Sequence, residues 1–447
     1  MKEPISVTHL LEELSAKVDA AELYEVRSFE LPVRFNAGAL ESIRSVETAG
    51  RALRVIHQGR LGFSTTTDLT DGKTLSRNAL AAAQFSDPVA FEFPVQPTPS
   101  TVPCFDRQVE GLDERQLIAL GEEVVERIQA YDPELQVEAR VDKQIEEVRL
   151  LNTNGLVLED RRSSLSLSLE VTQTREDDIW IVERSASSRQ RGDIDGSVLA
   201  EYVIERLRWG EKTVSIPSRP MPVVFNLDGA LVPLMPLLLG LNGRYVYLNT
   251  SPLSEKLGQQ AFDERFTLVD DGRLDFGVRS ASFDDEGLPT STKPLIEAGH
   301  VRQFLYDLKT AAQAGTQPTG NGFKSGLFRG GYKQRPDVAP ANWLVTPGEQ
   351  SLEQILQGLD EALLVEAVLG LGQGNITAGE FSNNVFSGFL VRRGEIVGRV
   401  KNTMIAGNAY ELLKENLLAL SDRPQWVFGI VNTPAVAIDG VGVASKG

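Results

Sequence analysis

The sequence predicts an α+β protein, with an N-terminal α/β meander domain followed by a β-rich, barrel-like C-terminal domain. Three observations predict it. Stretches rich in β-branched and aromatic residues with period-two alternation dominate the chain, amphipathic helices interrupt them without regular alternation, and a proline-dense segment falls near the middle. No period of about 20–50 residues repeats, which disfavours solenoids and propellers.

The first element is a helix with Leu10, Leu11, Leu14 and Val18 on one face. Residues 21–35 (AELYEVRSFELPVRF), 40–46 and 51–57 then read as an antiparallel meander. Residues 75–85 (LSRNALAAAQF) supply a small-residue helix able to lie close on that sheet. Residues 93–102 hold three of the chain's 22 prolines and form an extended connection. A helix over 113–131 places Leu117, Leu120, Val124 and Ile128 at helical spacing and stops at Asp132 and Pro133. The stretch VRLLNTNGLVLED reads as a hairpin turning at Asn154 and Gly155, a dipeptide that tolerates positive φ, and SLSLSLEVTQ continues it as a strand. A helix over 196–209 closes this half.

Residues 215–222 (SIPSRPMP) carry three prolines in eight positions and mark the boundary, giving domains 1–214 and 215–447. The second domain is rich in strands and glycine. Two helices are expected in it: 352–368, opened by Ser351 with Gln354 in capping-box spacing, and 409–420. The end, VFGIVNTPAVAIDGVGVASKG, reads as two short strands around a turn at Asp439 and Gly440.

Composition bounds the function. With 447 residues and 41% hydrophobic content the chain can bury a large core. Its 45 Lys and Arg against 62 Asp and Glu give a net charge of −17, which opposes binding to a phosphate backbone and argues against nucleic acid as a partner. The single cysteine, Cys104, suits a reducing compartment. The N-terminal segment carries acidic residues inside its apolar pattern and reads as an amphipathic helix, not a signal peptide. The apolar run 230–241 contains two prolines and is shorter than the roughly 18 residues of a membrane span. A cytoplasmic protein with no membrane partner is expected.

The search for chemistry is mostly negative. A hydrolytic zinc centre needs about three protein ligands, usually with histidines one helical turn apart. The only histidines, His9, His57 and His300, lie far apart in sequence. Asp270 with Asp271, and Asp284 with Asp285 and Glu286, sit beside glycines in apparent turns, where solvation accounts for them. There is no G-x-S-x-G elbow, and Cys104 has no histidine near it in sequence. No catalytic or metal-binding residue is assigned.

Two segments suggest binding instead. GTQPTGNGFKSGLFRGG lacks the order of a phosphate loop, yet Lys324 and Arg329 place positive charge on a flexible stretch. They are candidates for a mobile loop contacting a peptide carboxylate or a partner subunit, the alternative being a solvated loop. The second segment is GQGNITAGEFSNNVFSGFLVRRGEI. Its glycines permit close backbone approach, its asparagines tolerate unusual φ, and an edge strand nearby could pair with an extended peptide through main-chain hydrogen bonds. Gly374, Asn375, Thr377, Glu380, Ser382 and Asn383 are therefore candidates for a peptide cleft. Tight turns between barrel-like strands would explain the same glycines.

These motifs carry a family resemblance. Gly372 to Ser382 resembles the "GxGVNxxTGDYS" segment of the TldD/PmbA family, in its PmbA (TldE-like) branch, with Glu380 for Asp and Phe381 for Tyr. Gly388 with Phe389, then Gly394, Glu395 and Ile396, resemble its "GFW…NGEI" hairpin, and Asn402 to Asn408 its "TI-x-GN". NWLVTPGEQS, from Asn342, is similar to the family's entry into a late helix, and LSEKLGQQAF, from Leu253, to its "S-x-L-x-x-x-LG" turn. Asn383 and Asn384 stand where Arg and Gly are expected. The resemblance implies a dimerising two-domain protein around a cleft for unfolded peptide. In the family the TldD branch carries HExxxH on a helix of the second domain, and the PmbA branch, lacking it, serves as partner. The corresponding stretch here, DGALVPLMPLLLGLNG from Asp228, has no histidine or glutamate, and Pro233 and Pro236 are expected to break such a helix. The resemblance thus implies a chain without a cofactor of its own, partnering a zinc-bearing TldD-like subunit or itself in proteolysis. A stand-alone homodimeric peptide-binding or regulatory protein is the alternative.

Overall fold

The computed structural model describes residues 6–95, 100–175, 178–324 and 331–446. Helix α1 (Val7–Ser15) leads into strands β1 (Ala20–Asn36), β2 (Ala39–Ile43), β3 (Val46–His57) and β4 (Arg60–Thr66). Helices α2 (Gly72–Ala83), α3 (Arg107–Gly111) and α4 (Glu114–Tyr131) follow, then strands β5 (Gln136–Asn152), β6 (Val157–Arg175) and β7 (Asp178–Ser188), and helix α5 (Gly196–Trp209). These strands form one antiparallel sheet in the order β4-β3-β1-β5-β6-β7, with β2 on β1. The expected meander and helices are present. Asp113 caps α4 in a reciprocal box with Gln116, and Asp195 caps α5. Gly155 turns the β5–β6 hairpin at φ 88°, a conformation glycine adopts without Cβ strain. Along β6 the alternation divides the faces: Leu165, Leu167, Leu169 and Val171 are buried with α4 and α5, while Ser166, Ser168 and Glu170 face the other way.

The C-terminal half is built on a closed barrel. After β8 (Thr213–Val214), strand β9 (Arg219–Phe225) pairs in parallel with Glu361–Leu369, which pairs with Glu380–Arg392, and this strand with Thr403–Asn408. Val436–Ser445 lies between Thr403–Asn408 and β9 and completes the ring. Closure leaves these five strands no open edge. Phe225, Leu363, Val365 and Ile405 pack inside the C-terminal core. Val224, Leu364, Phe389 and Val391, of opposite parity, join the core beneath α4 and α5, so one hydrophobic cluster runs from the first sheet onto the barrel's outer wall.

Four expectations for this half need correction. The helix expected over 352–368 ends at Gln357, and Glu361–Leu369 is a barrel strand. A buried apolar run has no helical face to reveal, so its periodicity does not separate helix from strand. The helix over 409–420 stops at Glu415, and Leu417–Leu420 pairs with the last strand. Asp439 and Gly440 do not separate two strands: Val436–Ser445 runs through them, with a register shift against β9 between Ile438 and Val441. Finally, Pro233 and Pro236 do not prevent helix α6 (Leu231–Gly240). Pro233 lies in the first turn, where a missing N–H costs little, and Pro236 sits in a buried helix whose Pro236 carbonyl accepts the Tyr410 hydroxyl at 2.9 Å.

The acidic clusters are not solvated turns. Arg54 on β3 meets Glu22, its cross-strand partner on β1, through two hydrogen bonds of 2.8 and 2.9 Å, and reaches Glu286 at 2.6 Å. All three are buried. The second Glu286 oxygen accepts the Leu308 N–H at 2.7 Å. Asp284 accepts three backbone N–H groups, from Glu286, Leu288 and Gly322. Asp270 accepts from Ala341 N and Asn321 Nδ2 and lies 3.4 Å from the Lys293 ammonium. Truncating one member of such a buried set leaves the others uncompensated. Arg54→Ala is expected to lower unfolding free energy by about 3–5 kcal/mol, measured by urea denaturation; a loss below about 1 kcal/mol would contradict this account.

Candidate functional site

A cavity of about 650 Å³ lies between the first sheet's serine and glutamate face and the barrel. Asn36 of β1, Glu138 of β5, Glu170 of β6 and Glu183 of β7 form one wall. Leu227, Asp228, Glu366, Phe386, Trp426 and Phe428 form the other. The turn Leu227–Ala230, between β9 and α6, positions Asp228. Leu227 takes a left-handed φ of 51°, and a Cβ on Gly229 would come within 2.3 Å of the Val365 carbonyl, so the turn presses directly on the barrel.

Beneath this wall lies a buried polar set. Glu366 accepts from Arg206 Nη2 at 2.8 Å, from the Tyr202 hydroxyl at 2.7 Å and from Asn226 Nδ2 at 3.0 Å. The Arg206 guanidinium stacks 3.8 Å from the Tyr202 ring centroid. Burial, and then Glu366, pushes the Tyr202 phenol well above its usual range. The set is rigid support for the floor, since each carboxylate oxygen has its donors. Asp228 differs: burial pushes its carboxyl up to about 6, with Glu183 and Glu366 adding to the rise and Arg184 opposing it.

A second cavity of about 600 Å³ continues from the first, sharing Arg184, Ser185, Trp426 and Phe428. Strand β7 contributes residues 181–185 to one and 184–188 to the other. It pairs only with β6 among the described residues, so its open edge runs along both cavities. The facing element, Gln425–Val427, is likewise the last strand of its own sheet. Arg184 Nη2 crosses the gap to Gln425 Oε1 at 2.9 Å.

The sequence-predicted residues lie elsewhere. Gly374 and Asn375 are exposed, and the Asn375 side chain caps the short turn Ile376–Ala378. Thr377 lies in that turn, half-buried, while Glu380 and Ser382 are exposed at the start of Glu380–Arg392. Asn383 is buried and donates to the Leu369 and Gly370 carbonyls, closing the turn after the preceding strand. None of the six lines either cavity, although their strand reaches the first one further on, through Phe386 and Ser387. Lys324 is not on an exposed loop: it is 2% exposed, 5.0 Å from the Tyr24 ring and 5.6 Å from Phe63, and burial pushes its ammonium down to about 8. Arg329 lies outside the described residues, as do residues 96–99 of the expected extended connection. The residues that sequence reasoning missed are Glu138, Glu170 and Glu183. Their signal was present in the alternation of β5, β6 and β7, but it required the strand register to be read.

Zinc, which the resemblance brings into question, finds no fit. At α6 the side chains are aliphatic, and among the described residues no group of three His, Cys, Asp or Glu converges as metal ligands would.

Known proteins match the whole described architecture. Residues 21–84 match domain 1, residues 107–214 the central domain and residues 218–445 the C-terminal domain of PmbA/TldA metallopeptidases. An uncharacterized protein of Methanocaldococcus jannaschii is 26% identical over 433 residues, covering 94% of this chain and 95% of that one. The metalloprotease PmbA homolog of Haemophilus influenzae is 25% identical over 442 residues, covering 92% and 89%. TldE of Thermococcus kodakarensis superposes with a TM-score of 0.88 at 22% identity, covering 98% of this chain and 99% of its own. A Thermotoga maritima protein described as a modulator of a DNA gyrase gives 0.87 at 24%, with the same coverage.

Asp228 supplies a test of the cavity's electrostatics. Its folded pKa stands above the unfolded value of roughly 3.9, so ionising it costs stability as pH rises from about 4 through 6, and nothing below. Asp228→Asn is expected to gain about 1–2 kcal/mol over the parent chain at pH 7.5 and nothing at pH 3.5, allowing for solvent screening. Urea titrations at both pH values decide it.

Proposed function

The chain belongs to the PmbA/TldA metallopeptidase family, and on that premise we propose that it binds unfolded peptide as the non-catalytic, PmbA/TldE-like subunit of a metallopeptidase assembly. Its partner in this reading is a TldD-like subunit, cytoplasmic like itself, that brings the zinc. The observation that carries the proposal is the continuous groove along the open edge of β7.

An edge strand offers unpaired N–H and C=O groups at alternate positions, and an extended peptide satisfies them by adding a strand. Such pairing tolerates many sequences, as a subunit handling unfolded peptide requires. A folded partner already has its own strands paired and could not enter. Serines line the groove, but among the described residues no histidine lines it to activate them, and Cys104 is buried away from it, its Sγ 3.3 Å from the Ser280 carbonyl, with burial pushing the thiol up. What the cavities provide is binding and orientation. Hydrolytic power would then come from the partner, whose zinc activates water. A nucleic-acid partner gains no support from a net charge of −17.

The test is peptidase activity on an unfolded peptide, with zinc measured in parallel, for the purified chain alone and mixed with a TldD-like protein from the same cell. Cleavage and stoichiometric zinc are expected only in the mixture. Both appearing with the chain alone would overturn the proposal. Activity in neither sample would favour a stand-alone homodimeric peptide-binding or regulatory protein.

A further inference from the structure

The two cavities of the groove differ in chemistry. In the first, Glu138, Glu170 and Glu183 are direct cross-strand partners: Glu138 stands opposite Glu170, and Glu170 opposite Glu183. Neighbouring strands lie about 4.8 Å apart, so three carboxylates stand in a row across the sheet, an arrangement that destabilises it. Burial, then Glu138 and Glu183, holds the Glu170 carboxyl above its ordinary range. The guanidiniums that line the same cavity are mostly engaged elsewhere. Arg140 pairs with Asp142 at 2.6 Å, and Arg184 is held by Gln425 and lies 5.2 Å over the Tyr202 ring. Arg34 stands opposite Arg140, outside the row.

The second cavity has an apolar side, Leu274, Phe276, Val278 and Pro424 with Trp426 and Phe428 shared with the first cavity, and a polar side that includes Asp193, Asp275, Gln425 and the serines of β7. Phe276 and Phe428 both adopt left-handed backbone, at φ 55° and 50°, which bulky residues avoid unless packing holds them there. Phe428 is 52% exposed, turned to the groove instead of the core. An apolar wall of this kind gains from covering by an apolar group.

Resting on the peptide-binding reading above, we infer that the groove selects an extended peptide with a basic side chain at the carboxylate row and a large apolar side chain in the aromatic cavity. Charge complementarity decides the first group: an ammonium or guanidinium relieves the repulsion within the row, and an acidic side chain adds to it. Continuity decides that one chain supplies both groups, because β7 passes each cavity in turn. From Glu183 to Ser187 is four residues, about 13 Å of strand, so the basic and apolar side chains of a paired peptide fall about four residues apart. The even spacing puts them on the same face.

The experiment uses the full chain and fluorescently labelled Gly/Ser/Thr peptides of about ten residues, which remain extended. One carries Lys and Phe four residues apart, in either order, a second Glu and Phe, a third Lys and Ala. Anisotropy titrations at low salt are expected to give the Lys/Phe peptide about tenfold tighter binding than either of the others. The preference for Lys should vanish in the double variant Glu170→Gln, Glu183→Gln, which removes like charges and leaves the fold intact. The preference for Phe should vanish in Phe428→Ala. Equal binding of all three peptides overturns the selectivity while leaving peptide binding in place. A Lys preference that survives the double variant overturns its assignment to this row. Absence of binding by every peptide overturns the selectivity and the peptide-binding reading together.

Discussion

The buried pairing of Arg54 with Glu22 and Glu286 is the constraint on which the rest of the architecture depends. Glu22 and Arg54 face each other across β1 and β3, so the first sheet alone could neutralise one charge with the other. Glu286 is the addition. It comes from the second half of the chain, 232 residues from Arg54, and its carboxylate also takes the Leu308 N–H. The segment that carries it is fixed by Asp284, whose three backbone hydrogen bonds leave one conformation for the turn. Ion pairs of this kind contribute little net stability once desolvation is counted, and what they do enforce is register. Here the register is that of the first sheet against the barrel half. β7 lies four strands along from β3, at the sheet's other edge, where Arg184 meets Gln425 across the groove.

Local signals in the sequence disclosed the elements of the first half of the chain well. Helices α4 and α5 have polar caps and a clear apolar face, and β5 and β6 alternate around a turn dipeptide, so each element states its own identity. The barrel was harder to see because its strands are covered on both sides. Glu361–Leu369 presents a run, Ala362 to Val365, with no polar face, and a capping box just upstream favours the helix that in fact ends at Gln357. The acidic clusters misled for a related reason. Asp284, Asp285 and Glu286 sit beside Gly287 in a true turn, but whether a turn is solvated depends on what packs over it, and Arg54 and Lys324 lie far away in sequence.

The candidate site was legible only through its strand. In the glycine- and asparagine-rich stretch around Gly374 to Asn383, Asn375 caps one tight turn, Asn383 closes another, and Gly379 at φ 87° leaves room for Tyr410. The side chains of Asn375 and Asn383 are engaged by nearby backbone. The groove's chemistry is carried instead by residues that look ordinary in sequence, because glutamates alternating with apolar residues describe any exposed sheet face.

That ordinary alternation accounts for both core and site. In β6 the leucines facing α4 and α5 bury one side of the sheet, and the opposite parity delivers Ser168 and Glu170 to the groove. A row of three carboxylates weakens the pairing of β5, β6 and β7 on that face, and the dry, closely packed leucine face opposite them supplies the compensation. The sheet can therefore hold a repulsive row in place without losing its register. On the proposed reading, a repulsive row held by a rigid core would meet a charged ligand without rearrangement of the strands that present it.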